Sequence, residues 1–113
     1  MFPFRRGPGR ITPAEAHRRA TAGEAVLLDV RERDEWNAGH AEGALHLALS
    51  RLTAGAALPR QAQGRPVVAV CRSGMRSRRA AKILAGQGVA VVDVRGGMTA
   101  WASHGLPLRG RIR

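Results

Sequence analysis

The sequence predicts an α/β fold in which helices cover both faces of a mostly parallel central sheet of about five strands. Short apolar runs alternate along the chain with segments whose apolar residues recur at helical spacing. The runs are apolar at nearly every position, which is typical of parallel strands buried on both faces. A length of 113 residues fits one domain with its own core. In such a sheet the binding crevice lies beyond the carboxyl ends of the strands.

The amino-terminal half opens with a short strand at 10–11. A helix to about residue 20 follows, because Thr12 occupies the N-cap, Pro13 the first helical position and Glu15 the third, which makes a capping box. The other predicted elements of this half are a strand at 25–30, a short helix at 33–37, a strand at 44–47 and a segment at 50–58 that begins as a helix.

The carboxyl-terminal half contains the β-branched run 67–70, which predicts a buried strand. A helix at 78–87 is expected from its apolar spacing, and Gly88 separates it from a strand at 89–94. Gly96 and Gly97 predict a turn before a last helix at 98–103. We expect residues 1–9 to form a flexible N-terminal extension, 10–108 the domain, and 109–113 a basic C-terminal tail.

The sequence favours a reducing compartment and no membrane partner. No run approaches the roughly 18 apolar residues of a membrane span. The first residues lack the apolar core of a signal peptide. One cysteine forms no internal disulfide, so we expect a cytoplasmic protein.

The chain is strongly basic, with a formal net charge of +11 and a pI near 11.9. Such a charge raises the possibility of a nucleic-acid partner. However, the arginines are scattered along the whole chain, and four aromatic residues give little base-stacking surface. We therefore expect solvated surface charge and no nucleic-acid partner.

The candidate reactive residue is Cys71, which follows the strand at 67–70. The next residues form a short loop toward a helix N-terminus, where unpaired N–H groups and the helix dipole favour negative charge. Ser73 and Gly74 are small enough for backbone N–H groups to converge on one point. Arg72 and Arg76 add cationic donors suited to an oxyanion. An isolated cysteine is more often an inert core residue, but this loop favours a nucleophilic thiolate.

Four segments in order resemble the rhodanese family, the thiosulfate and related sulfurtransferases. The resemblance covers residues 10–108. The segments are Leu27-Leu28-Asp29-Val30-Arg31-Glu32; Glu35-Trp36 with Gly39-His40-Ala41-Glu42-Gly43-Ala44; Cys71-Arg72-Ser73-Gly74-Met75-Arg76-Ser77; and Gly96-Gly97-Met98-Thr99-Ala100-Trp101 with Gly105-Leu106-Pro107. The chain departs from the family at Ala41 and Glu42, where isoleucine and proline are common.

This resemblance implies a sulfur relay in which Cys71 attacks the outer sulfur of thiosulfate, releases sulfite and becomes a persulfide. The loop N–H groups from Arg72 to Ser77 would bind the persulfide, and Arg72 and Arg76 would orient the anionic donor. Cyanide or a thiol would accept the sulfur, and a protein acceptor is possible because the chain has no second cysteine. No metal or organic cofactor is implied.

The remaining candidates are given supporting roles. Asp29 and Arg31 lie at a strand end, where a structural ion pair or loop brace is favoured over a part in the chemistry. His40 is interpreted as a loop anchor, and Met75 as a wall of the pocket mouth. Arg51, Arg78 and Arg79 either extend the positive field at the entrance or are ordinary solvated charges.

Two other functions remain open. Phosphatases and arsenate reductases use a related thiolate loop, but with one more residue between the cysteine and the clamping arginine; here Ser77 occupies that position. The second is a persulfide carrier or protein-binding module that does not turn over small donors.

Overall fold

The computed structural model describes residues 7–112. In chain order the strands are β1 (Arg10–Ile11), β2 (Val26–Asp29), β3 (Gly39–Ala41), β4 (Leu45–His46), β5 (Val67–Val70), β6 (Val91–Val94) and β7 (Leu108–Gly110). The helices are α1 (Pro13–Thr21), α2 (Arg33–Ala38), α3 (Leu49–Thr53), α4 (Met75–Gly86) and α5 (Gly97–Ser103), with a 3-10 turn at Arg60–Ala62. Five parallel strands form the central sheet in the order β1-β6-β5-β2-β4, which confirms the predicted fold class.

Two apolar layers hold the sheet between its helices. One layer packs Leu52 of α3 and Leu84 of α4 against alternate residues of β2 and β5. The other packs Ala16 of α1 and Trp101 of α5 against the opposite side of the same strands. Since both faces are covered, every residue of β2 and β5 is buried, which is why these runs are apolar without alternation.

The strand register brings the candidate residues to one edge of the sheet. Asp29, the last residue of β2, pairs with Val70, the last residue of β5, and Cys71 follows directly. On the other side of β5, Asp93 of β6 pairs in register with Arg10 of β1. The carboxyl ends of parallel strands therefore surround the loop that starts at Cys71.

The structure also contains a second, small sheet that the sequence did not predict. Strands β3 and β7 pair antiparallel, with His40 opposite Arg109. Arg109 and Gly110, the first two residues of the predicted basic tail, belong to β7. Each strand has three residues and little apolar character, so local pattern does not reveal a pairing between such distant segments. Residues 1–6 of the predicted extension and residue 113 of the tail lie outside the described residues.

One helix boundary differs from the prediction. Helix α4 begins at Met75, three residues earlier than expected, because Gly74 takes a left-handed conformation with φ of +112° and turns the chain directly into the helix. A glycine conformation sets this boundary, and apolar spacing alone does not reveal it. Helix α3 at Leu49–Thr53 agrees with the prediction that the segment at 50–58 begins as a helix. Within residues 7–112, no helix combines the length and apolar character needed to cross a bilayer.

We expect Gly39→Ala to lower the free energy of unfolding by about 1–3 kcal/mol, because a β-carbon there would overlap the backbone of Arg111. Urea denaturation measures the change. Gly86→Ala is the matched control: its β-carbon meets open space within helix α4, so stability should stay the same or rise by up to about 1 kcal/mol. Equal stability of Gly39→Ala and wild type would contradict the close approach of β3 to the chain after β7.

Candidate active site

The sulfur of Cys71 lies inside the loop that follows β5. Only 1% of the residue is exposed, and it also contacts the apolar layer under α4. The N–H of Gly74 donates to Sγ at 3.1 Å. A non-glycine residue rarely adopts the backbone conformation that aims this N–H at the sulfur. The sulfur therefore faces a hydrogen-bond donor even though it is almost enclosed.

The carbonyl groups of the loop are held by donors outside it. Met98 N–H donates to the carbonyl of Cys71 at 2.7 Å, and Thr99 N–H donates to that of Arg72 at 3.0 Å. The carbonyl of Gly74 accepts from Arg10 Nη2 at 3.0 Å. In a trans peptide the carbonyl and the following N–H point in opposite directions. Holding these three carbonyls therefore fixes the direction of the next N–H groups, at positions 72, 73 and 75.

The position of Gly97 in the structure requires glycine at the second position of the predicted Gly-Gly turn. A β-carbon at this position would overlap the backbone of Cys71 and Arg72. The first turn of α5 can thus approach the loop closely enough to donate to its carbonyls. The glycine pair is consequently part of the site, although it carries no reactive group.

A buried polar chain runs from the sulfur to an ion pair. The Cys71 thiol donates to Ser77 Oγ at 3.4 Å, and the Ser77 hydroxyl donates to Asp93 Oδ2 at 2.8 Å. Arg10 donates to both oxygens of Asp93, with Nε–Oδ1 at 3.0 Å and Nη2–Oδ2 at 3.2 Å. Ser77 and Asp93 are both buried. Since a buried carboxylate needs a partner, Arg10 satisfies Asp93 and also holds the loop carbonyl of Gly74.

Arg76, the second cation expected to orient the donor, pairs with Glu35 of α2. Nη1 lies 2.6 Å from Oε1 and Nη2 lies 2.9 Å from Oε2, which is a bidentate geometry. These hydrogen bonds lower the pKa of Glu35 to about 2 and raise the pKa of Arg76. The pair joins the first turn of α4 to α2, and it balances part of the positive charge near the loop.

Asp29 and Arg31 pair with each other and are fully buried. Arg31 Nη2 donates to Asp29 Oδ2 at 2.7 Å and to the carbonyl of Gly39 at 2.6 Å. The pair thereby ties the end of β2 to the start of β3. His40 Nδ1 lies 2.9 Å from the carbonyl oxygen of Trp36, and its ring stacks on that indole with centroids 3.5 Å apart.

The predicted residues thus separate into two groups. Cys71, Gly74 and Ser77 meet at the sulfur. The side chains of Arg72, Ser73 and Met75 are exposed around the loop, while Arg76, Asp29 and Arg31 form the ion pairs described above. Met75 is 81% exposed, so it projects from the mouth of the loop.

Sequence reasoning assigned no role at this site to three residues: Arg10, Asp93 and Glu35. A signal was present for Asp93, because a carboxylate interrupts the apolar run of β6 in a strand with buried neighbours. Arg10 is its in-register neighbour, but that pairing depends on a strand order that one sequence does not reveal. Glu35 lies in a family-like segment, yet its partner is 41 residues away.

The Arg76–Glu35 pair predicts an acid-sensitive contribution to stability. A carboxyl whose pKa falls on folding, here from 4.5 to about 2, stabilises the fold above its unfolded value, and this contribution is lost as the pH falls through its folded value. We expect Glu35→Gln to be less stable than wild type at pH 7, with the difference shrinking between about pH 5 and pH 2. Urea unfolding across this range measures it, with the exposed Glu42→Gln as control. A difference independent of pH would contradict the pairing.

Comparison with known proteins places this geometry in a family. The family model of the rhodanese-like domain matches residues 12–104 of this chain. The chain is 35% identical over 95 residues to the adenylyltransferase and sulfurtransferase UBA4 of Yarrowia lipolytica, covering 84% of this chain and 24% of that protein. The chain therefore spans about a quarter of this relative's length.

Two solved structures have the same fold. A rhodanese-related protein from Thermoplasma volcanium superposes with a TM-score of 0.77 and 27% identity, over 89% of this chain and 97% of that one. A thiosulfate sulfurtransferase from Pseudomonas aeruginosa gives a TM-score of 0.70 and 25% identity, over 94% of this chain and 21% of that one. The family model, these matches and the loop around Cys71 together show that the chain belongs to the rhodanese family of sulfur-transfer proteins.

Proposed function

We propose that this protein is a thiosulfate sulfurtransferase that carries sulfane sulfur as a persulfide on Cys71. The observation that carries the proposal is the sulfur of Cys71 within hydrogen-bond distance of the Gly74 N–H, at the N-terminus of α4. The Cys71 thiolate attacks the outer sulfur of thiosulfate and forms a new S–S bond. The S–S bond to sulfite breaks, and sulfite leaves with the bonding electron pair.

The loop suits the negative charge of the persulfide. The first-turn N–H groups of α4, from Met75 to Ser77, have no acceptor within the helix, and the helix dipole adds positive potential there. Donors held in place before the reaction stabilise charge without reorganisation. The carbonyls fixed by Arg10, Met98 and Thr99 are what hold this loop in place.

The cations favour an anionic donor such as thiosulfate. Arg72, the residue after Cys71, is exposed, and Arg76 supplies a guanidinium whose charge Glu35 partly balances. The thiosulfate sulfurtransferase of similar fold from Pseudomonas aeruginosa supports the same donor. In the second step cyanide or a thiolate attacks the outer sulfur, and Cys71 leaves as the thiolate that starts the next cycle. We propose the reducing cytoplasm as the compartment, since it supplies thiols.

A persulfide carrier is the second candidate. The observation in its favour is the near-complete enclosure of Cys71, which slows the entry of donors and acceptors. A phosphatase is less favoured. The phosphoryl group of a phosphate ester has three oxygens besides the one in the ester bond, and the short loop between Cys71 and Arg76 would have to enclose them.

We expect thiosulfate to add one sulfur atom to Cys71, seen by mass spectrometry of the intact protein, and cyanide to remove it as thiocyanate. Cys71→Ser should abolish both steps, whereas Ser103→Ala, an exposed substitution away from the loop, should leave them unchanged. A stable sulfur adduct with very slow thiocyanate release would identify the carrier instead. Turnover of p-nitrophenyl phosphate without thiocyanate formation would sink the sulfurtransferase proposal.

We expect Arg10→Gln to slow persulfide formation by about ten- to a hundredfold, because the Gly74 carbonyl loses its donor and the N–H of Met75 loses its fixed direction. Stopped-flow measurement of sulfite release reports the rate, and circular dichroism reports folding. Arg95→Gln removes an exposed arginine next to β6 and serves as the matched control. Arg10→Lys, which keeps one donor, should recover part of the rate. An unchanged rate in a folded Arg10→Gln protein would contradict this positioning role.

A further inference from the structure

We propose that the sulfur acceptor is an acidic protein segment that docks on the exposed side of α4 beside Cys71. This inference rests on the proposed function and names the class of partner. The docking surface consists of Met75, Arg78, Arg79 and Lys82, and we refer to it as the α4 face. All four side chains are exposed.

The α4 face is continuous because its residues follow helical spacing. Positions three, four and seven residues after Met75 lie on one side of an α-helix. The opposite side of the helix, with Ala80, Ala81 and Leu84, is buried against the sheet. The face begins at the first residue of α4, directly after the loop that encloses the sulfur.

The cations of the α4 face have no acidic partners within the part of the chain that the structure describes. None of Arg78, Arg79 and Lys82 forms an ion pair there. Helix α1 provides the contrast, since Arg18 pairs with Glu15 and Glu24, and Arg19 pairs with Glu15. Surface arginines of this chain are thus neutralised on one helix and left available on the other.

The position of these cations also has an energetic cost. The first turn of α4 has no acidic residue, and Arg78 stands close to the positive end of the helix dipole. Cations near a helix N-terminus are unfavourable, because they face the positive end of the dipole. An acidic partner offsets this cost when it binds, so the charge pattern is better matched in a complex than in the free protein.

Met75 favours a protein over a nucleic acid as the partner. It is the exposed large hydrophobic residue among residues 7–112, at 81%. A methionine adapts its shape to apolar side chains of a partner. The α4 face carries no aromatic side chain on which bases would stack. We therefore infer a segment in which acidic residues flank the acceptor group.

The enclosure of Cys71 sets the chemistry of that acceptor group. With 1% of the residue exposed, the attacking atom must sit at the tip of a slim side chain, such as a cysteine. Its thiolate attacks the outer sulfur of the Cys71 persulfide and forms an acceptor persulfide. The S–S bond within the Cys71 persulfide breaks, and Cys71 leaves as a thiolate, so charge and sulfur are conserved.

The test compares two synthetic peptides of equal length, each with one cysteine, one flanked by glutamate and aspartate and the other by lysine. Cys71 is loaded with thiosulfate, and the rate of sulfur transfer to each peptide is measured. We expect kcat/KM to be about tenfold higher or more for the acidic peptide at low salt. The advantage should fall as ionic strength rises, because exposed charges are screened.

Paired charge reversals locate the surface. Arg79→Glu with Lys82→Glu should remove the preference for the acidic peptide. Arg109→Glu with Arg111→Glu changes net charge equally, at exposed positions on the side of β7 and away from α4, and should retain it. At saturating thiosulfate and cyanide, kcat should be the same in all three proteins, because neither pair belongs to the loop at Cys71 and saturation removes the effect of surface charge on donor capture.

Peptide docking and sulfur transfer are measured separately. Anisotropy of a labelled acidic peptide with serine in place of cysteine measures docking alone, and the α4 reversal should weaken it. If the wild-type protein binds the acidic peptide but forms no thiocyanate, the proposed function is rejected and the α4 face is still supported as a docking surface. Equal transfer to both peptides, a preference that survives the α4 reversal, or tighter binding of a single-stranded RNA oligonucleotide to the same face would overturn the acidic-protein proposal.

Discussion

Gly74 is held at both of its backbone polar groups, and the geometry around Cys71 depends on this. Its N–H faces the sulfur, and its carbonyl accepts from Arg10. A side chain at Gly74 would meet Arg10 Nη2 and would also have to adopt a left-handed backbone. The close approach of guanidinium and glycine thus fixes the residue whose N–H donates to the sulfur.

Two ion pairs extend this arrangement into the surrounding fold. Arg10–Asp93 joins the edge strand β1 to β6, and Arg76–Glu35 joins α4 to α2. Each pair links two elements that are distant in sequence, so the site is assembled from the whole sheet edge. Since Asp93 also accepts from Ser77, the sulfur is connected to the fold by hydrogen bonds as well as by packing. Such a loop keeps its shape while the charge on sulfur changes.

The sequence predicted what depends on local pattern and missed what depends on long-range pairing. Apolar runs identified the inner strands of the sheet, and Cys71 with Gly74 lies at a strand end before a helix, as the sequence predicted. Ser77 was expected before that helix and lies within its first turn. Arg10 and Asp93 meet only because β1 lies beside β6, and the β3–β7 pair joins segments that have no strong strand signal. The start of α4 was missed by three residues because the conformation of Gly74, and not apolar spacing, sets it.

Strand β1 has two residues and only one neighbour in the sheet, yet it carries the arginine that orders the loop. Edge segments of this kind open locally at a lower free energy than the centre of a sheet. When β1 detaches, the loop at Cys71 loses its hydrogen bond from Arg10, while the helices and inner strands remain intact. Sulfur transfer should therefore be lost at a lower temperature than the fold itself, and a two-residue edge strand sets the thermal limit of the site.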